Sequence, residues 1–449
     1  MPITISLGTF DAEKFWRDEN FAKLPELNDG STHHIIAAMD ELLFPLCGPG
    51  DLLLTRFAMS PVFKNYLEDI GFSLIHNTRS LQENGEKSPV SVEKCVFQLL
   101  AQRCQEPYFQ ELLGAGAVFN PYAILPHTAG AAGRFGGTQR FPAIESVKKV
   151  NSKIYSHELH DRLGLKKYGT IIRRSAELEE TAARIQSPKG FILKDPYGVS
   201  GKGNLVVALP GMLKRIEKHL AAQEAKGLQT CLLMEPYLDK VLDFSCQLNI
   251  DASGTTTILS IQNIYNKELA YVGSTAADTR FVDFLQQRGY FEIIDRLAAA
   301  IYHDGYFGDV CVDSMILKND EIVPVVEINA RKSMGLINQH LDRFLSRFGI
   351  KGYFIYFSTG FQGTIQFADI LAKMADAEVL FSPARGYGVI PLSGNTLFIN
   401  RDLDHGGAPL KTYKGRLYIS AAASTHEKRR QLVDQTAEIL RSLSFTIYK

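Results

Sequence analysis

Two stretches of this 449-residue chain hold residue types whose spacing could do chemistry. In Phe191-Ile-Leu-Lys-Asp-Pro-Tyr-Gly-Val-Ser-Gly-Lys-Gly-Asn204, three glycines and a serine fall within six residues. Gly198, Gly201 and Gly203 let the backbone approach an anion closely and offer it N–H donors, with Ser200 and Lys202 between them. Lys194, at the end of the preceding apolar run, adds a point charge. The chemistry this suits is the holding of phosphate oxygens, although an ordinary hairpin turn would use the same residues. A Walker A loop is excluded, because Pro196 occupies its first glycine position and Gly203 follows Lys202. The dinucleotide fingerprint is excluded too, since GxxGxG here lies between two strands and Gly114-x-Gly116 meets Phe119 in place of its third glycine.

The second stretch runs through Cys311-Val-Asp-Ser-Met-Ile-Leu317 and Val325-Val-Glu-Ile-Asn-Ala-Arg-Lys-Ser-Met-Gly335. Side chains alternate along a strand, so Glu327 and Asn329 share a face, and Asp313 on a neighbouring strand could come opposite them. Two carboxylates and an amide oxygen suit Mg²⁺, which keeps positions for water and phosphate. Arg331 falls in the same phase and could neutralise charge on a phosphoryl group in transfer. The plain alternative is a surface hairpin of solvated acids. Val323, Val325, Val326 and Ile328 weigh against it, because carboxylates on a half-buried strand need partners.

Elements must position these groups. Residues 156–163 and 176–185 read as helices and 170–174 as a strand, while 190–194 enters the glycine loop and 203–209 returns from it. Leu213, Ile216 and Leu220 mark a helix face, and apolar strands follow at 230–235, 243–250 and 256–264. Ile294, Leu297 and Ile301 mark a helix before Gly305, and strands at 310–317 and 322–328 bracket Asn319-Asp320 as a hairpin would. Upstream, 51–55, 60–69 and 72–76 read strand, helix, strand, which implies a parallel sheet with crossover helices. Residues 76–91 read as an exposed loop, and the glycine- and alanine-rich 129–140 as a flexible connection or boundary. Beyond about residue 360, short elements and glycine turns lead to a final helix announced by Ser424-x-x-Glu427.

In their order and separation these motifs resemble the ATP-grasp superfamily of carboxylate–amine ligases, over roughly residues 150–345. The resemblance implies an α/β fold of α+β ATP-grasp type: a Rossmann-like N-terminal domain (1–149), a lid-containing lobe (150–238), a metal and substrate lobe (239–360) and a small C-terminal α+β subdomain (361–449). It implies ATP and two Mg²⁺ ions as cofactors. Lys153 and Lys194 then hold phosphates beneath the lid, Tyr197, Gly198, Ser200, Gly201, Lys202 and Gly203 form it, and Glu235, Pro236, Tyr237 and Leu238 face adenine. Asp243 matches the ribose-binding acid, where the family more often has Glu. Asp313, Glu327 and Asn329 match the metal ligands, and Arg331 completes an ExNxR pattern like that of the biotin-carboxylase branch, making Arg331 and Lys194 the catalytic candidates. A looser similarity, from Asn120-Pro-Tyr-Ala to Lys153, points to ligases that make small peptides.

The reaction so implied is phosphoryl transfer from ATP to a carboxylate, then attack on the acyl phosphate by an amine. Arg280, Lys332 and Ser333 are substrate-binding candidates, and His157 and His160 read as an exposed helical pair. The chain carries 49 basic and 49 acidic residues, so it lacks the electrostatic footprint of a nucleic-acid or anionic-membrane binder. No apolar run approaches the roughly 20 residues of a membrane span, and the N-terminus shows no secretory pattern, so a cytoplasmic address is expected. The six scattered cysteines suggest neither zinc nor disulfides. The expected partners are a small carboxylate donor and an amine acceptor; a homodimer, a carrier-protein thiol acceptor and a catalytically silent nucleotide-binding protein stay open.

Overall fold

The computed structural model describes residues 3–25, 29–82, 93–114, 116–185, 187, 189–198, 203–267, 270–404 and 411–448. Ser200, Gly201 and Lys202 lie outside the described residues, as does most of the loop expected over 76–91.

The chain opens with a parallel sheet of β1 (Thr4–Leu7), β2 (Leu52–Leu53), β3 (Ile75–His76) and β4 (Val118–Pro121), in the order β3-β2-β1-β4. The helix Pro61–Ile70 connects β2 to β3, as the strand–helix–strand reading requires. Ser60 accepts the Phe63 N–H at its start, and Gly71, at φ 104°, supplies the left-handed residue that ends it. The glycine- and alanine-rich stretch is not simply a flexible connection. Thr128–Arg134 is helical, and its small Ala131 and Ala132 are buried against the helix Val96–Arg103.

A second, antiparallel sheet carries β5 (Thr170–Ile172), β6 (Phe191–Lys194), β7 (Asn204–Val207) and β8 (Leu232–Pro236), in the order β5-β8-β6-β7. The helix Pro210–Glu224 buries Leu213, Ile216 and Leu220, which join Leu193, Leu232 and Met234 in a small core of their own. β6 and β7 are the two arms of the glycine-loop hairpin.

The third sheet has nine strands: β9 (Lys240–Ile250), β10 (Thr256–Lys267), β11 (Ala270–Ala276), β12 (Gly308–Leu317), β13 (Ile322–Asn329), β14 (Lys351–Phe361), β15 (Gly388–Pro391), β16 (Tyr413–Ala423) and β17 (Thr446–Tyr448). Their order is β13-β12-β9-β10-β11-β14-β16-β15, with β17 on β14. β14 runs across residue 360, and the chain beyond it contributes three more strands to the same sheet. The expectation of short elements there fails at β16, which is 11 residues long and pairs with β14 throughout. Leu417 to Ala423 is buried without alternation, so the period-two signal of a half-exposed strand is missing. The final helix is His426–Ser442, and Thr425 rather than Ser424 caps it by accepting the Lys428 N–H.

His157 and His160 are buried, not exposed. The His160 ring lies 2.9 Å from the Val325 carbonyl, tying the helix Lys153–Leu163 to β13, and burial pushes the His157 pKa down to about 4. Among the described residues no helix is long and apolar enough to cross a membrane.

Candidate active site

The glycine hairpin closes on itself at its base. The Asp195 N–H donates to the Gly203 carbonyl at 2.7 Å, and a Cβ on Gly203, whose φ is +77°, would meet the Gly198 Cα at 2.7 Å. Only glycine fits that neck without strain. From outside, Arg17 grips the Asp195 carboxylate through Nε and a terminal nitrogen, at 3.1 and 2.9 Å. The base of the loop is thereby fixed to the first helical turn of the chain, Glu13–Trp16.

Lys153 opens the helix Lys153–Leu163 just after its Ser152 cap. Its ammonium reaches the Gly198 carbonyl and Glu327 Oε1, each at 2.6 Å, so it bridges the loop and β13. Lys194, at the end of β6, lies 2.5 Å from Glu235 at the end of β8. Burial works against the Lys194 charge, but Glu235, Glu327 and Asp313 together hold its pKa above the ordinary lysine value. Past Glu235, the Tyr237 N–H is given to the Gly190 carbonyl, and Asp243 accepts from Lys240 at 2.5 Å and Asn266 at 2.8 Å.

Across the hairpin, Asp313 and Glu327 are directly opposed on β12 and β13. Asn329 donates to Asp313 at 3.0 Å and accepts from Arg331 at 3.0 Å. Arg331 lies beyond the end of β13 and pairs with Glu13 at 2.6 Å, with the Tyr122 hydroxyl at 3.2 Å. Burial first, then the charge of Glu327, pushes Asp313 up to about 7. Two opposed acids with one lysine between them and the loop are what a divalent cation would relieve, so the donor set fits Mg²⁺. Among the described residues there is no cluster of three or more His, Cys, Asp and Glu side chains that would cage a metal alone. A cation here would take its other ligands from phosphate and water.

Lys194, Tyr197, Gly198, Gly203, residues 235–238, Asp243, Asp313, Glu327, Asn329 and Arg331 all line one cavity of about 540 Å³. That size suits a nucleotide or another small ligand.

No protein-family model matches the chain. Among curated proteins it is similar to the butirosin acyl-carrier protein–L-glutamate ligase of Niallia circulans, 28% identical over 196 residues, or 42% of this chain. The match covers 45% of that protein, so the chain spans under half the length of the curated relative. Three solved structures superpose over nearly the whole chain. An ADP complex of N5-carboxyaminoimidazole ribonucleotide synthetase gives a TM-score of 0.52 at 12% identity, over 98% of both chains. The L-amino acid ligase from Bacillus licheniformis gives 0.51 at 12%, over 99% and 98%. The biotin carboxylase domain of the Hydrogenobacter thermophilus 2-oxoglutarate carboxylase, with MgADP, gives 0.51 at 13%, over 99% and 90%. The chain has the ATP-grasp fold.

Within that ATP-grasp frame the three substrate candidates part ways. Ser333 lines the cavity and caps the helix Met334–Leu345, donating to Gln247. Lys332 is buried and turned to Asp309 and the Pro121 carbonyl, each at 2.9 Å, and does not line the cavity. Arg280 is exposed on the helix Thr279–Gln287, also outside the cavity lining. Residues not assigned to the site from sequence also line it, among them Glu13, Arg17, Tyr122 and Arg416. Glu13 and Arg331 are 318 residues apart, and no local pattern signals such a pair.

Proposed function

We propose that this ATP-grasp chain is an ATP-dependent carboxylate–amine ligase that forms a peptide or amide bond through an acyl phosphate. The observation that carries this reading is convergence: Lys194 of the hairpin and the acids of β12 and β13 line one cavity, and buried Lys153 stands behind its wall, bridging Gly198 and Glu327. Adenine would lie along Glu235 to Leu238, with its ribose at Asp243. Lys153, Lys194 and the loop from Gly198 to Gly203 would hold the phosphates. Asp313, Glu327 and Asn329 would hold Mg²⁺, in two ions, which when bound offsets the charge of the phosphate oxygens.

The protein's own part is positioning and charge compensation. The γ-phosphoryl group passes to a substrate carboxylate oxygen, ADP leaves, and the amine then displaces phosphate from the acyl carbon as the C–N bond forms. Arg331, fixed by Glu13 and Tyr122, presents a guanidinium for the charge that builds on the transferring group. Closure of the hairpin excludes the water that would hydrolyse the acyl phosphate.

The similarity to a ligase whose name specifies an acyl-carrier protein favours a second reading, in which one substrate is carrier-bound. A screen separates the two. The full chain is incubated with ATP, Mg²⁺ and L-amino acids, singly and in pairs, with ADP resolved from AMP. ADP, phosphate and a new amide in equal amounts support the small-molecule ligase. AMP and pyrophosphate would overturn acyl-phosphate activation, and turnover seen only with a carrier protein would favour the second reading. ATP binding with no carboxylate-dependent turnover would mark a silent nucleotide-binding protein.

A further inference from the structure

Among the described residues three guanidinium groups line the cavity, those of Arg17, Arg331 and Arg416. The first grips Asp195 and the second Glu13. Arg416 is different. No carboxylate among the described residues lies within ion-pair distance of it, and its hydrogen bond to the Tyr418 hydroxyl is long, at 3.4 Å. Its guanidinium lies 5.0 Å from the centre of the Tyr356 ring. Asp29, whose charge acts on it, is already held by Lys414 and the Thr32 hydroxyl.

Register ties Arg416 to the reacting end. Asp313 opposes Ser245, Asp243 opposes Ile264, Ile264 opposes Ser274, Ser274 opposes Phe354 and Tyr356 opposes Tyr418. The residues that join these pairs along a strand are two apart, so all stand on one face of the nine-stranded sheet, as does Arg416 on β16. The Tyr122 hydroxyl, 3.2 Å from Arg331, lines the same cavity as Tyr418 and Arg416. Among the described residues the half-buried Arg416 guanidinium makes one hydrogen bond, to Tyr418, so it has donors to offer an acceptor in the cavity. The planar fork over an aromatic face matches a carboxylate bidentately.

We propose that Arg416, seated on Tyr356 and Tyr418, anchors the free carboxylate of an amino acid or short peptide that serves as the amine acceptor; the assignment rests on the ligase reading. The carboxylate being activated belongs beside Asp313 and Glu327, so one held at Arg416 is the one that survives the reaction. A second orphan has the opposite sign. Glu13 lines the same cavity, and its buried Oε2, without a hydrogen-bond partner among the described residues, offers an acceptor to the ammonium end of such a molecule.

The test uses the full chain and the proteinogenic L-amino acids, each paired with its α-carboxamide, with binding read by ligand-observed NMR. The wild type should prefer at least one amino acid over its carboxamide by about tenfold or more. Arg416→Gln should reduce that preference to about twofold or less while ATP affinity stays within about twofold of wild type. Arg416→Lys, which keeps the charge and the stem but not the fork, should recover part of the preference and guards against a folding failure. A variant Arg416→Gln that still prefers the carboxylate, or a wild type that never does, overturns the anchor. The two proposals fail separately. Amide formation by Arg416→Gln at an unchanged acceptor KM would remove the anchor and leave the ligase. A preference lost in the variant, with no ADP released from any pair by the wild type, would keep the anchor and remove the ligase.

Discussion

The two ends of the cavity handle charge differently. At the end proposed for the nucleotide, Lys153, Lys194, Lys240 and Arg331 each already sit on a carboxylate: Glu327, Glu235, Asp243 and Glu13. At the other end Arg416 sits on tyrosines and has no carboxylate partner among the described residues. On the proposed reading, a triphosphate arriving at the first end would take lysines from the acids that hold them, so binding there would be an exchange of partners. A carboxylate arriving at Arg416 would break no ion pair among the described residues. Substitutions at the first end should therefore disturb the protein as well as its chemistry, whereas substitution at the second should disturb the ligand alone.

Breaking the first end at its acids should have the largest effect. Glu327→Ala is expected to lower ATP turnover by roughly 10²- to 10³-fold with the fold retained, measured as ADP release beside a circular dichroism spectrum. Turnover near wild type would remove Glu327 from the metal site. Glu13→Ala leaves the buried Arg331 without its acid, which should cost about 3 kcal/mol in denaturant unfolding. Arg416→Gln, with no ion pair to lose, should cost about 1 kcal/mol or less in the same experiment. Equal losses would erase the contrast between the two ends.

Gly203→Ala places a methyl group against the Gly198 Cα at a positive φ. It should destabilise by roughly 1–2 kcal/mol and raise the KM for ATP more than that for the amine acceptor, read from initial rates. The smallest effect lies outside the cavity. Burial pushes Asp40 up to about 8 and Glu41 up to about 7, although Asp40 accepts the Arg56 N–H and Glu41 accepts from Ser393, Gly394 and Asn395. The folded chain holds protons there that the unfolded chain, with ordinary values of 3.8 and 4.5, releases. Their contribution to stability is fully present below about pH 4 and is lost as pH rises through 7 and 8. These two groups should make Tm fall between about pH 4 and pH 8, and Asp40→Asn should flatten that slope.

The difference between the ends also marks what one sequence could disclose. Lys194 with its glycines, and Glu327-x-Asn329-x-Arg331, are contiguous patterns in which spacing and strand alternation place the groups. The β12–β13 hairpin then opposes Asp313 to Glu327, as the period-two argument required. Arg17 with Asp195, Glu13 with Arg331, and Arg416 depend on pairings across 178 residues or more, or on a strand whose burial on both faces hides its period. The same cause accounts for His157 and His160. Their helical spacing says which way they point together, but only the packing of that helix on β13 shows that it points inward. Lys332 stands beside a contiguous motif and still turns away, toward Asp309, an acid that no local spacing connects to it.

The central claim is transfer of phosphate from ATP to a carboxylate oxygen, and oxygen labelling tests it most directly. An L-amino acid donor found in the screen is supplied with ¹⁸O in its carboxylate, together with ATP, Mg²⁺ and the acceptor. The account predicts one ¹⁸O in the released phosphate for each amide formed, with unlabelled ADP. Label recovered in AMP, or unlabelled phosphate beside a new amide, would contradict it.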